Sequence, residues 1–348
     1  MSKKTKEVKI STILYSILIL LFGYFVIVAV MLYGFGIENN FIKKTLRFLP
    51  YPAAFVGQAS YISIGELESE LRAVKSFYEN QDFSDSGYRV DFSTEDGGKR
   101  LMIKERKLLN KLIENKIIEK LAEENGVIID NEIVSKEVNK NIEQYGNKED
   151  ILENLKKLYG WDLNDFKDRV VKPDMYKEAL TEYVRENDKN ILTSKNKAAS
   201  ALADLKDGKY FAEIASKYSE GESAKNGGDL GWLSTDQMIP EIALTAALLK
   251  AGDTSNVLET PLGFHIIKLE DKKTENGLEM FKLKQVFVKA QNFSDWLIEQ
   301  EKNIKIYIPL KDFYWDNKTQ LVRFKNKNIE EFENNLNENS AGDVSVMF

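Results

Sequence analysis

Cysteine is absent from the 348 residues, and histidine occurs once, at His265. This chain therefore cannot form disulfides, a cysteine nucleophile, a thiolate metal site or a lipid-modified cysteine anchor. With a single histidine, a zinc site would have to consist almost wholly of carboxylates, a poor match to zinc's ligand preferences. No metal or cofactor is expected. A surplus of positive charge is missing too. The formal net charge of -6 argues against nucleic acid as a partner, because a phosphate-binding surface is normally basic. What remains, 43% hydrophobic and 30% charged residues, reads as a largely globular chain long enough for two or three domains.

Charge is also absent from Ile10 to Ile37, a run rich in Ile, Leu, Val, Phe and Tyr. About 20 apolar residues span a hydrocarbon core, so residues 10–37 read as a tilted transmembrane anchor contacting the lipid bilayer. Lys3, Lys4, Lys6 and Lys9 precede it, and Lys43, Lys44 and Arg47 follow it. The closer N-terminal set favours N-in orientation in the cytoplasmic membrane, with residues 38–348 extracytoplasmic. A cleaved signal peptide is the competing reading. The run is long for a signal core, and Leu32-Tyr33-Gly34-Phe35-Gly36 lacks a small-x-small site.

Residues 38–60 read as a linker. Ser63 and Glu66 have capping-box spacing and start a helix that runs to about Asn80. The stretch Gln81–Lys99 is rich in Asp, Ser and Gly and reads as an exposed loop. Leu101, Leu108, Leu112, Ile113, Ile117 and Leu121 form an apolar stripe on a long helix over about 100–125, stopped by Gly126. Asp130 can cap the next helix. Further helices are expected at 131–145, 148–158, 162–171 and 174–187, with Pro173 at a helix start.

Leu108-Leu109-Asn110-Lys111-Leu112-Ile113-Glu114-Asn115-Lys116-Ile117-Ile118, then Ala122 and Glu124-Asn125-Gly126-Val127, resemble the N-terminal chaperone segment of SurA-type periplasmic foldases. Gly160-Trp161-Asp162-Leu163 with Phe166 echoes the segment that follows there. The resemblance makes residues 61–187 an all-helical chaperone region. Its apolar stripe is mainly core, with a client groove where part stays exposed.

Downstream run Leu205…Gly208…Phe211-Ala212…Ala215…Tyr218-Ser219, then Ser223-Ala224-Lys225, Asn226-Gly227-Gly228-Asp229-Leu230-Gly231-Trp232, Gln237-Met238, Gly252 and Gly263-Phe264-His265-Ile266-Ile267. This ordered series is similar to a parvulin-type (PpiC, rotamase) peptidyl-prolyl isomerase, as found in membrane-anchored foldases of the SurA, PrsA and PpiD kind. The resemblance implies a small antiparallel sheet with helices, over 188–290. It also implies an apolar proline pocket at Leu230, Leu233, Gln237, Met238, Ile242 and Leu262. Leu233 and Ile242 stand where the family usually has Phe. In the family two histidines and an Asp or Cys form the polar centre. His265 matches the second histidine, and the Asp/Cys position falls on Gly221. Glu220 and Glu222 flank it, and Glu220 is the candidate substitute.

Such chemistry needs no cofactor. Rotation about an X–Pro bond meets a barrier of about 18–20 kcal/mol and breaks no bond. A pocket that desolvates the amide and polar groups that favour its twisted form are sufficient.

Parvulins begin with a strand that carries the first histidine. Two segments compete for that strand here: Asn190-Ile191-Leu192-Thr193, and Met280–Lys289. If 280–289 pairs with the strand around His265, with Lys272–Glu279 as the connection, Gln285 faces His265. Residues 291–326, with Ile304, Ile306 and Ile308 in alternation and Leu321-Val322-Arg323-Phe324 after a turn, read as a β-hairpin extension. Residues 327–348, rich in Asn and Glu, read as a fraying helix or a flexible end.

The expected protein is thus α+β: an N-terminal transmembrane helix, a SurA-like helical region, a parvulin-like domain and a C-terminal hairpin. Its expected function is that of an extracytoplasmic foldase for unfolded secreted polypeptides with X–Pro bonds. A non-catalytic holdase and a membrane-complex scaffold are the alternatives.

Overall fold

The computed structural model describes residues 10–35, 42, 45, 46, 49–81, 91–145, 147–275 and 277–339. The flanking cations Lys3, Lys4, Lys6, Lys9, Lys43, Lys44 and Arg47, the loop 82–90 and the tail 340–348 lie outside the described residues. The chain forms two compact units, Met1–Lys177 together with Glu301–Phe348, and Glu178–Gln300. The second unit is therefore an insertion within the first.

The first unit opens with α1, Ile10–Ala29, which continues through a π-helical segment, Val30–Phe35. Part of the expected linker is instead a strand pair, β1 (Pro52–Val56) and β2 (Ser60–Ser63). Helix α2 (Ile64–Asn80) starts where the Ser63 side chain accepts the Glu66 N–H. Helix α3 (Glu95–Glu124) begins inside the expected loop, because Thr94 caps it by accepting the Gly97 N–H. Its deepest face is Leu109, Ile113, Ile117, Ile118 and Leu121. Leu101, Leu108 and Leu112 are only half-buried, so the buried stripe lies one residue round from the expected one over the first turns.

Next come α4 (Asn131–Tyr145), α5 (Lys148–Tyr159) and the short α6 (Leu163–Phe166). As expected, Asp130 accepts the Glu132 and Ile133 N–H groups at the start of α4. Val134, Val138 and Ile142 pack there with Ile129, Ile151, Leu163, Val171 and Met175. A π-helical turn, Lys167–Val171, joins α6 to α7 (Lys172–Asn187) without a break. Pro173 lacks an N–H and cannot extend a tight i→i−4 ladder, so the widened turn sits directly before it.

The second unit adds α8 (Lys189–Lys206), α9 (Phe211–Tyr218), β3 (Asp229–Ser234), α10 (Pro240–Leu248), β4 (Leu258–Thr260), β5 (Gly263–Glu275), β6 (Leu278–Lys289) and most of α11 (Phe293–Glu301). Its sheet is antiparallel with order β3-β6-β5-β4. Asn190–Thr193 lies in α8, whereas 280–289 lies in β6, between β3 and β5. The connection is much tighter than Lys272–Glu279, because β5 runs to Glu275 and β6 starts at Leu278, with Gly277 at φ 80° between them.

Alternation along β5 and β6 sorts two cores. Ile266 and Val286 meet Ala201, Phe211, Ile214 and Ala215 on one face. Ile267, Leu269, Phe281 and Leu283 meet Ile242 and Ala246 of α10 on the other. Gly228 fixes how β3 joins them. A Cβ there would lie 2.5 Å from the Gln285 carbonyl oxygen, and its φ is 82°. That contact carries a real bond, Gln285 N–H to the Gly228 carbonyl at 2.8 Å.

The C-terminal residues differ most from expectation. Residues 306–307 form β7, which pairs with β1 across the length of the chain and not within a C-terminal hairpin. The hairpin is β8 (Phe313–Asp316) with β9 (Leu321–Phe324). Of the two readings of the C-terminal stretch, the helical one holds over α12, Lys327–Asn339. The hairpin and α12 both pack on α3 through Arg106, which donates to the Val322 carbonyl at 3.2 Å and to Glu333 Oε1 at 2.6 Å. The guanidinium also lies over the Phe324 ring. A local sequence pattern does not register a partner more than 200 positions away.

Because β6 is the sheet's interior partner for both β3 and β5, a fragment 178–275 will remain unfolded while 178–300 folds. Circular dichroism with amide proton dispersion distinguishes the two. A dispersed spectrum from 178–275 would contradict this topology.

Candidate functional site

The site is built by strand alternation. His265 stands opposite Phe287 and Ile267 opposite Gln285, so His265, Phe287 and Gln285 share one face of the β5–β6 pair. This is the face that α10 covers further along. His265 is only 3% exposed. Its Nδ1 lies 3.0 Å from Gln285 Oε1 and its Nε2 2.9 Å from Thr260 Oγ1. The Phe287 ring stacks on the imidazole, with centroids 4.6 Å apart.

These partners define the proton positions. Gln285 Oε1 can only accept, so Nδ1 carries the hydrogen, and Nε2 accepts from the Thr260 hydroxyl. Thr260 is held in turn by the Leu262 N–H, which donates to its Oγ1 at 3.2 Å. Burial pushes the His265 pKa down, against weaker upward pulls from the Gln285 hydrogen bond and the Glu241 carboxylate. Burial disfavours the charged form, so the imidazole is neutral at neutral pH.

The segment before the glycine turn lies along the outer part of β6. Glu220 N–H donates to the Phe287 carbonyl at 2.7 Å, and Phe287 N–H donates to Ser219 Oγ at 3.0 Å. This brings Gly221 to the polar pair. A Cβ on Gly221 would sit 3.6 Å from Phe287 and 3.9 Å from Gln285 Nε2, both ordinary contacts. Gly221 has φ −79° and ψ 161°, open to any residue. The gap beside Gln285 is therefore a missing side chain, with no steric obstacle behind it.

Glu220 does not fill the gap. Its Oε1 receives Lys197 Nζ at 2.5 Å and its Oε2 receives the Lys289 N–H at 2.8 Å. Desolvation pushes its pKa up, but the Lys197 hydrogen bond, the Lys289 backbone N–H and the charges of both lysines together hold it down. Gln237 is also engaged elsewhere, accepting from Ser234 N–H and Oγ at 3.0 Å as the cap of a short helical turn. Leu230 and Met238 pack against the α10 cluster, in which Ile242 is buried. Leu233 is half-buried opposite Phe281. Leu262 is exposed. A cavity of about 680 Å³ is lined by Thr260 together with Val184, Ile191, Glu241, Pro261, Phe264 and Phe293, but by neither His265 nor Gln285. None of the six expected pocket residues lines it.

Thr260 and Phe287 were not picked out from the sequence as site residues. Phe287 lies two positions beyond Gln285, so period-2 alternation along β6 could have identified it. Thr260 gave no such signal, because a turn residue five positions before His265 shows its contact only once the β4–β5 turn closes.

Residues 178–271 match the rotamase family model, the PPIC-type PPIASE domain. The chain is 43% identical over 84 residues to chaperone SurA of Hydrogenovibrio crunogenus, covering 24% of this chain and 19% of that protein. It is 29% identical over 215 residues to foldase protein PrsA of Geobacillus kaustophilus, covering 58% of this chain and 74% of that one. A solved structure of PrsA from Bacillus anthracis is similar at 24% identity, with a TM-score of 0.21, over 56% of this chain and 86% of that one. The chain thus spans less than a fifth of the SurA protein and about three quarters of the Geobacillus foldase. The matched rotamase region stops at β5 and leaves out β6, the strand that carries Gln285.

The buried neutral imidazole has a consequence for stability. With a native pKa below the unfolded value of about 6.5, the folded state binds fewer protons than the unfolded one as pH falls. His265 therefore contributes full stability above about pH 6.5, which is lost as pH falls toward the native pKa. Urea unfolding between pH 8 and 5 will show a decline in the wild type that is smaller in His265→Gln. Parallel curves for the two proteins would contradict this.

Proposed function

We propose that this chain is a membrane-anchored extracytoplasmic foldase whose inserted unit isomerises X–Pro bonds in unfolded secreted polypeptides. The match of residues 178–271 to the PPIC-type domain supports the class. The observation that carries the mechanism is the His265–Gln285 hydrogen bond beside the gap at Gly221.

Twisting the X–Pro amide localises the lone pair on nitrogen and makes that nitrogen a better hydrogen-bond acceptor. Catalysis then needs a donor stronger toward the twisted state than the planar one. The imidazole cannot be that donor, because its one N–H is committed to Gln285 Oε1. Gln285 Nε2, on the Gly221 side, is available. Gln285 is thus the donor to the twisted amide, and His265 is the positioning residue that aims it. The apolar surroundings, Phe287, Met238 and Leu230, hold the proline ring and exclude water. Helix α1 contains the apolar stretch Leu14–Phe35, long enough to cross a bilayer, and is assigned as the N-in anchor.

A second reading has its own support. In the first unit a cavity of about 550 Å³ is lined by Ile62, Leu108, Leu112, Pro173 and Tyr176 and by a larger set of polar and charged side chains of both signs, among them Glu66, Glu70, Lys116, Asp168 and Arg169. Apolar side chains framed by both charge signs suit a loosely held unfolded segment. With Gly221 contributing no group, the chain could act by this holding role alone.

A protease-coupled prolyl isomerisation assay on the full chain in detergent separates the two. The wild type will accelerate exchange over buffer. His265→Ala will lower kcat/KM about tenfold, or about 1.4 kcal/mol in barrier, and Gln285→Leu will bring the rate to that of buffer. A wild type no faster than buffer would refute the enzyme reading. Suppression of client aggregation in the same preparation would then support the holdase. The Gly221→Asp substitution restores a side chain without steric cost. It will change the rate while leaving the melting temperature within about 2 °C, a small surface-type effect.

A further inference from the structure

One face of α1 belongs to the folded unit. Val28 and Leu32 are buried, and Tyr24 and Tyr33 are half-buried along the same stripe. The cover comes from the chain just downstream, where Ile42, Leu46 and Tyr51 are at most 3% exposed. Tyr51 stacks on Phe25 with centroids 4.6 Å apart and ring planes 11° from parallel.

Three hydrogen bonds close the contact. Tyr24 and Thr45 share a hydrogen bond of 2.7 Å. Tyr51 donates to the Phe25 carbonyl at 2.9 Å, and Tyr33 donates to the Pro52 carbonyl at 2.8 Å. The covering segment is fixed from its other side as well. A Cβ on Gly65 would come within 2.7 Å of the Leu46 carbonyl oxygen, so the first turn of α2 closes directly on it. The Ile64 N–H donates to the Tyr51 carbonyl at 2.7 Å.

Leu14 to Phe22 are all exposed, and apart from Ser16 all apolar or aromatic. This free part is too short to cross a membrane alone. From Ile10, the first residue after Lys9, to Tyr24 the helix rises about 21 Å at about 1.5 Å per residue. The hydrocarbon core is about 30 Å thick. A span that starts at Ile10 reaches the far side only near Ala29, about 28 Å along. The Tyr24–Thr45 and Tyr51–Phe25 bonds then lie inside the outer part of the core. There, polar groups must find partners within the protein, and these do.

We infer that Ile42, Thr45, Leu46, Tyr51 and Pro52 form a collar seated in the outer leaflet, which grips the anchor and holds the first unit flush on the lipid surface. The partner of this face is the bilayer itself, acyl chains against the collar's rim and headgroups above it. The inference rests on α1 being the membrane span. It also makes α1 part of the mature fold, because removing it strips the cover from Ile42, Leu46 and Tyr51.

The cysteine-free chain allows a direct test. Spin labels are placed on Leu18→Cys and Tyr61→Cys in the full chain, in vesicles of phosphatidylethanolamine and phosphatidylglycerol, and their separation is measured by double electron–electron resonance. A single narrow distance distribution is expected. The triple change Tyr24→Phe, Tyr33→Phe, Tyr51→Phe will broaden it at least twofold, as will Gly65→Val. A label on Leu49→Cys will be relaxed by oxygen and shielded from a water-soluble nickel chelate. A broad wild-type distribution, or nickel access at Leu49 with Leu18 shielded, would overturn the collar and leave the anchor standing. Nickel access at Leu18 would overturn both.

Discussion

The second unit depends on one pairing, that of β5 with β6. Its register sets His265 opposite Phe287 and Ile267 opposite Gln285. A slip of one residue would send every side chain of a strand to the opposite face. His265 would then enter the Phe211–Ala215 cluster, and Ile266 would face the polar site. The turn with Gly277 at φ 80° closes this hairpin, and the close approach of Gly228 to Gln285 fixes β3 on the other side of β6. The polar centre is therefore a product of backbone geometry, and its residues are distant in sequence because the hairpin brings them together.

The fold was legible where the physics is local. The uncharged run of α1, the Ser63 and Asp130 caps and the ordered glycine turns need only near neighbours, and they read correctly. Of the two segments that competed for the first strand, the alternating 280–289 was the better candidate in sequence, and it forms β6 while Asn190–Thr193 is helical. Asp188 decides the latter, accepting the Asn190 and Ile191 N–H groups and so starting α8 at that point. The misread parts are long-range. β7 finds β1 across the inserted unit, and Arg106 holds β9 and α12 on α3, packing a stretch that read as a fraying helix or a flexible end.

The site was half legible. The identities at Gly221, His265 and Gln285 were open to reading, but their hydrogen bonds were not. Glu220, a plausible charge in sequence, is neutralised by Lys197 and by a strand N–H. Gln237 is consumed as a cap. What remains is an uncharged centre: a neutral imidazole between a hydroxyl and a carboxamide, with the carboxamide's N–H group facing the space at Gly221. Such a centre suits a reaction without proton transfer, in which the work is desolvation and one well-placed donor.

The most direct test is exchange spectroscopy on a short Ala-Pro peptide in the presence of the full chain in detergent. The account predicts exchange cross-peaks between cis and trans proline resonances with the wild type, and their disappearance with Gln285→Leu while the peptide still binds. Peptide binding without any exchange above the uncatalysed rate would contradict the central claim that this polar pair turns the proline bond.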